Sequence, residues 1–200
     1  MSGTYPTTKK PSVLNFISNR PTTVDYTLSG KRSVKLSASQ YFSFTVTMPP
    51  MKRSDFMEYY SFLVKQKGSF ETFTFTSPLT NQGAVDANDT VLVNGVHAIG
   101  DSTIDLDGFT ASQTGAFKAG DIINFANHNK AYMVTADVNS SGSAAATVSI
   151  EPPLQSALSD NESVNAVTPN FTVSLVQDDL LYSTDSRGLF ALSFDVREVL

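Results

Sequence analysis

Chemistry needs residues that can attack, transfer protons or hold metals, and this chain offers few. It has two histidines and no cysteine. His97 lies in VNGVHAIG, a strand–turn pattern, and His128 lies in NFANHNKAY, the pattern of a hairpin tip. Neither has the partner of an H-x-x-x-H or H-E-x-x-H metal motif. The absence of cysteine removes disulfides, thiolate metal sites and cysteine nucleophiles. Asp101, Asp105 and Asp107 precede Gly108, but their spacing fails the calcium-loop pattern and no closing glutamate follows. On a strand, Asp105 and Asp107 share one face around Leu106, which reads as a solvated acidic face. Gly120-Asp121 lacks the remainder of a phosphate-binding loop and opens a strand, so it reads as a β-turn. Paired carboxylates for a cell-wall hydrolase are abundant, yet abundance without geometry is not a site. No catalytic, cofactor-binding or metal residue is assigned, and the chain is read as not an enzyme.

The elements that would position such groups are more informative. YFSFTVTM, residues 41–48, alternates Phe42, Phe44, Val46 and Met48 against Ser43, Thr45 and Thr47, a strand with one buried face. Pro49 and Pro50 break the ladder. RSDFMEYYSFLVKQKG then switches to helical period. The expected helix, 54–67, places Phe56, Tyr59, Tyr60 and Leu63 on one stripe as packing or interface residues. Ser54 or Asp55 is the expected N-cap with Glu58 reaching back, and Gly68 the left-handed stop. Phe73 and Phe75 return to strand alternation, as do NFTVSLVQ (170–177) and LFALSFDVREVL (189–200). RSVKLSAS (32–39) and VLNFIS (13–18) read as strands within or beside a proline-bearing, polar N-terminal arm, residues 1–30. That arm is expected to gain order by lying on a neighbour.

Between Asn81-Gln82-Gly83 and residue 165 the character changes. Short β segments are separated by Gly, Asn and Asp, with Asn94-Gly95 and Asp107-Gly108 as tight-turn signals. Residues 83–165 hold two lysines against ten acids, a net charge of −8; the remainder holds twelve basic and nine acidic residues, +3, giving −5 overall. Such a break suggests two physical units. The expected organisation is a discontinuous β-sandwich or half-barrel domain, 1–82 with 166–200, carrying one packed α-helix. An acidic, small, all-β, barrel-like domain, 83–165, is inserted in it. The fold class is mainly β. Sequence-specific nucleic-acid binding is not expected, since phosphate contact needs clustered Lys and Arg. No run of 18 apolar residues predicts a transmembrane helix, and MSGTYPTTKKPSV has no apolar signal core, so neither membrane insertion nor a secretory signal is expected.

The order SGKRSVKLSASQYFSFTVTMPPMKRSDFMEYYSFLVKQKGSFETFTFTSP resembles bacteriophage tail-tip and baseplate structural proteins of the distal tail or minor tail type. AGDIINFANHNKAYMVTADV with the later VSIEPPL is similar to a segment within such proteins. The resemblance implies a virion tail protein, made in the bacterial host cytoplasm. It would form a homomeric ring, hexameric or trimeric, and connect the tail tube to the tip. The implied partners are itself and other tail proteins of the tube and the tip or hub, with no cofactor and no transferred catalytic residue. The alternative is a carbohydrate- or host-receptor-binding module using the inserted β domain. That reading needs exposed aromatic platforms, and the insert holds only Phe109, Phe117, Phe125 and Tyr132 as aromatic rings, with no Trp.

Overall fold

A computed structural model describes residues 2–37 and 39–200. Ala38, expected within a strand over 32–39, lies outside the described residues. Along the chain come β1 (Val13–Asn19), β2 (Thr22–Tyr26), β3 (Arg32–Leu36), β4 (Tyr41–Thr47), α1 (Arg53–Lys65) and β5 (Phe73–Thr76). Then follow β6 (Leu92–Val93), β7 (Thr103–Asp107), β8 (Ile122–Phe125), β9 (Ala131–Val134), β10 (Ala146–Glu151) and β11 (Val164–Asn165). The chain closes with β12 (Asn170–Leu175), β13 (Tyr182–Thr184) and β14 (Phe190–Glu198). The fold is mainly β, with one helix among the described residues. Two compact units divide it: residues 1–73 with 173–200, and residues 74–172. The chain thus passes from one unit to the other inside β5 and returns inside β12, ahead of the Asn81-Gln82-Gly83 turn.

One sheet has the order β1-β4-β14-β12-β5, with β13 paired to β14. The antiparallel register explains why alternation in separate segments adds up to one core. Phe44 stands opposite Phe16 and Val196, and Val46 opposite Leu14 and Phe194. Those rows make a continuous apolar face, since paired residues point the same way. The opposite face carries Asn15–Thr45–Asp195 and Ile17–Ser43–Arg197. Thr45 donates to Asp195 at 2.6 Å, and the Arg197 guanidinium sits 3.8 Å from the Tyr41 ring centre. One face of the sheet is therefore buried and apolar, the other polar and partly solvated.

The helix covers the apolar face. Phe56 stacks on Phe190 at 5.0 Å and Phe62 meets Phe73 edge-on at 5.5 Å. Its ends differ from expectation. The N-cap is Lys52 and makes no side-chain cap bond; Ser54 and Asp55 lie inside the first turn. The physical reason is the preceding strap. Lys9 takes the Asp55 carboxylate and Thr8 donates to Glu58, so both acids are engaged across the packing rather than by their own backbone. Asp55 still sits where the helix dipole favours a negative charge. At the other end Lys67 and Gly68 both take positive φ, 57° and 66°. A Cβ on Gly68 would fall 2.6 Å from an Asp178 carboxylate oxygen, so glycine is required there. The helix ends two residues earlier than the expected 67 because this left-handed turn begins at Lys67.

The N-terminal residues do not form a loose arm. Tyr5 is buried against Tyr59, Phe62, Phe73 and Phe194, with centroid distances of 5.5–6.5 Å. Lys9 N–H donates to the Tyr59 hydroxyl at 2.6 Å. Residues 2–12 are a strap on their own helix, and 13–19 are an edge strand of the sheet.

The second unit is a small barrel. Its strand order is β11-β8-β9-β10-β7-β6. The two ends of that order meet: Leu92 bridges Ser163, Val93 N–H donates to Glu162 at 2.9 Å, and Val164 N–H donates to Val91 at 3.0 Å. This near-closure leaves little open sheet edge among the described residues, which matters for strands of only two to six residues. Val93, Ile104, Leu106, Phe125, Tyr132, Val148 and Ile150 fill the interior.

Candidate functional site

The residues whose types could do chemistry are dispersed and structurally engaged. His97 pairs its backbone with Leu158, and its Nε2 accepts the Asp105 N–H at 3.2 Å. Its Nδ1 lies 3.9 Å from Asp101. His128 sits in the turn between β8 and β9, with its ring nitrogens 3.4 Å from the Tyr132 hydroxyl and the Ala157 carbonyl oxygen. The Asp105 and Asp107 alternation holds as read: Ile104 and Leu106 are buried while Asp105 is exposed and accepts from Thr147 at 2.6 Å. Among the described residues no group of three or more His, Cys, Asp or Glu side chains is placed to hold a metal ion.

Asp121, read as a simple turn residue, is more than that. It is 2% exposed and accepts three backbone N–H groups: Gln82 at 2.6 Å, Gly83 at 3.0 Å and Lys118 at 2.8 Å. It ties the incoming chain to the turn before β8. Asn81 works beside it, accepting the Ile122 N–H at 2.9 Å and donating to the Ile122 and Ala166 carbonyls at 2.6 Å. Gly-Asp opens the strand because the carboxylate must point back under the turn.

The helical stripe is placed as follows. Phe56, Tyr59 and Leu63 are fully buried, and Tyr60 is half-buried, stacked on Phe56 at 5.4 Å and edge-on to Tyr182 at 5.1 Å. The rings of Phe56 and Tyr60 lie against Phe190 and Tyr182, and that of Tyr59 against Tyr5.

Sequence reasoning missed a different surface. The β2–β3 hairpin has no buried residue. Its register puts Thr22 opposite Leu36, Val24 opposite Val34 and Tyr26 opposite Arg32, so these side chains share one face. The other face holds Thr23 with Lys35 and Asp25 with Ser33. Thr27, Gly30 and Lys31 close the turn through Gly30 N–H to Thr27 at 2.8 Å and Thr27 N–H to Lys31 at 3.0 Å. At its tip Leu28 is fully exposed, and Tyr26 and Leu36 are 70% and 63% exposed. The signal was present: Val24/Tyr26 and Val34/Leu36 alternate across a Ser29-Gly30 turn.

Residues 80–168, somewhat under half of the chain, match the family model described as "Distal tail protein pb9, B domain". That match indicates a phage tail structural protein. The matched segment contains the whole barrel, from β6 through β11. No curated protein matches the chain. The barrel's aromatic rings bear on the binding-module alternative. Phe109, Phe117, Phe125 and Tyr132 are all buried in the barrel core, so none of them forms an exposed stacking platform. No helix among the described residues is long and apolar enough to cross a membrane.

Proposed function

We propose that this tail protein works by assembling into a homomeric ring, hexameric or trimeric, that joins the tail tube to the tip in the virion tail, and that it does no catalysis. The observation carrying this reading is the bare apolar face of the β2–β3 hairpin. A two-stranded hairpin alone is marginal in water. Placing Val24, Tyr26, Val34 and Leu36 on one uncovered face adds to that cost unless another surface covers them. The sheet of the same unit supports the reading. A wall that is apolar on its helix side and carries Asn15, Ser43, Thr45, Asp195 and Arg197 around Ile17 on the other suits a water-filled tube. A closed ring needs a heterologous contact, with different patches on the two sides of each subunit.

The barrel, residues 83–165, is proposed to be an insertion that the remaining chain does not need in order to fold. Deleting 84–164 with a short Gly-Ser bridge should leave a cooperatively unfolding host; loss of cooperativity would show a single shared core. Ring formation is tested by cryo-electron microscopy of tail particles carrying the chain. Six or three symmetry-related copies at the tube end are expected. A single isolated copy, or a hydrolase activity abolished by His97→Ala or His128→Ala, would overturn the proposal.

A further inference from the structure

The first unit also has a groove beside an open strand edge, with Leu181 exposed at its rim, and it matches the hairpin. Strand β13 lies at the margin of the sheet with β14 as its one partner strand among the described residues. Beside the β13–β14 pair, Leu181, Ser183 and Ala191 line a groove with Thr47 and Ser193, floored by Leu192, which is buried, and by Tyr182, whose ring packs on Phe56, Tyr60 and Phe190. Leu181 is 81% exposed and Tyr182 39%. An exposed leucine beside an open strand edge is a ready contact for another chain.

Charge distinguishes the occupant. Residues 20–37, which contain the hairpin, carry Arg20, Lys31, Arg32 and Lys35 against Asp25 alone. Residues 177–187, which contain β13, carry Asp178, Asp179 and Asp185 against Arg187 alone. The hairpin is thus basic and apolar, and the groove segment acidic and apolar. Opposite charge around an apolar contact fixes register and suppresses like-with-like pairing. Two hairpins would repel each other, as would two groove segments.

We propose that the β2–β3 hairpin of one copy docks on the β13 groove of a second copy, laying its Val24–Val34 face over Leu181 and Tyr182. This rests on the ring reading, and supplies the two unlike patches that a head-to-tail contact requires. The pairing is between a knob and a groove at different places on the same chain, which lets one copy hold two different neighbours and the contact propagate around a ring.

The absence of cysteine makes the test clean, because any disulfide reports only the introduced pair. Val34→Cys and Leu181→Cys are placed together in the full chain, and assembled particles are oxidised and run on a non-reducing gel. Both positions are exposed, so neither change disturbs the core. The expected result is a ladder of cross-linked chains that ends at the ring number and collapses on reduction. Either single variant should give no ladder. Leu181→Arg, which puts a cation where the basic hairpin would sit, should abolish the ring while leaving the thermal unfolding of the free chain unchanged. A ring seen by cryo-electron microscopy with no ladder overturns this docking and leaves the ring reading standing. An absent ring overturns both. Monomers that cross-link internally, running faster than the reduced chain, overturn the docking by showing the hairpin on its own groove.

Discussion

Replacing Asp121 by alanine removes the acceptor for three backbone donors at once. The carboxylate is 2% exposed and receives Gln82 and Lys118 N–H groups at 2.6 and 2.8 Å and that of Gly83 at 3.0 Å. A hydrogen bond to a charged group contributes about 1.5–3 kcal/mol, and a buried donor left without an acceptor costs about 1–3 kcal/mol. Three such bonds set an upper bound near 9 kcal/mol, which no real variant reaches, because the turn relaxes and water enters. A loss of about 3–5 kcal/mol in the barrel is the expected outcome, a large share of the ~5–15 kcal/mol that holds a domain together. Two compact units make one global transition a poor readout. Hydrogen exchange resolved to the Gln82, Gly83 and Lys118 amides and to the barrel strands is therefore the assay, with urea unfolding beside it. Asp137→Ala is the control, since that exposed carboxylate meets Lys118 and Ala119 at the surface and should cost far less. Unchanged protection at the three amides, or a loss below about 1 kcal/mol, would refute the view that Asp121 anchors the entry to the barrel.

Other perturbations have outcomes as definite. Leu63→Ala empties a fully buried position on α1 and should cost about 2–5 kcal/mol in the first unit, read by denaturant unfolding; a loss near zero would mean the helix is not held through this stripe. Gly108→Ala would place a Cβ 1.9 Å from the Thr90 carbonyl oxygen at a φ of +78°, whereas Gly188→Ala, at +73°, meets nothing within 4 Å. The first should strip the barrel of cooperative unfolding and the second should cost about 1 kcal/mol, as expected for a left-handed alanine alone; equal effects would deny the close approach. The Asp178 carboxyl is held below its usual value of 3.8 by the Ser69 backbone N–H and then by the Ser69 hydroxyl. A depressed folded value means the stabilisation is fully present above pH 3.8 and is lost as pH falls through the lower folded value. Acid titration should therefore loosen the turn after α1 below about pH 3.8, and Asp178→Asn should flatten that response; an unaltered acid profile would count against the bond.

Much of the architecture was legible before any coordinates. Period-two alternation at 41–48 and 189–200 specified strands and their inward faces, because a pleated strand has no other way to segregate Phe42, Phe44 and Phe194 from Ser43 and Thr45. The 3.6-residue spacing of Phe56, Tyr59 and Leu63, bounded by Pro49-Pro50 and Gly68, located the helix to within two residues, since both boundaries are backbone constraints. The lack of cysteine and of partnered histidines likewise needed no fold to be seen. Local pattern, however, reports which face is apolar and not what covers it. Val24/Tyr26 and Val34/Leu36 alternate much as β4 does, yet β4 is buried and the hairpin is bare, because only β4 lies between β1 and β14 beneath a helix. Asp55 and Glu58 suit a helix cap by spacing, but the strap brings Lys9 and Thr8 to them from some fifty residues away. Asp121 looks like any turn aspartate until Gln82 and Gly83 arrive from another part of the chain. Closure of the barrel between Leu92 and Ser163 has the same origin. Partners distant in sequence meet only when the whole chain folds, so burial and hydrogen bonding at these positions were decided by tertiary structure alone.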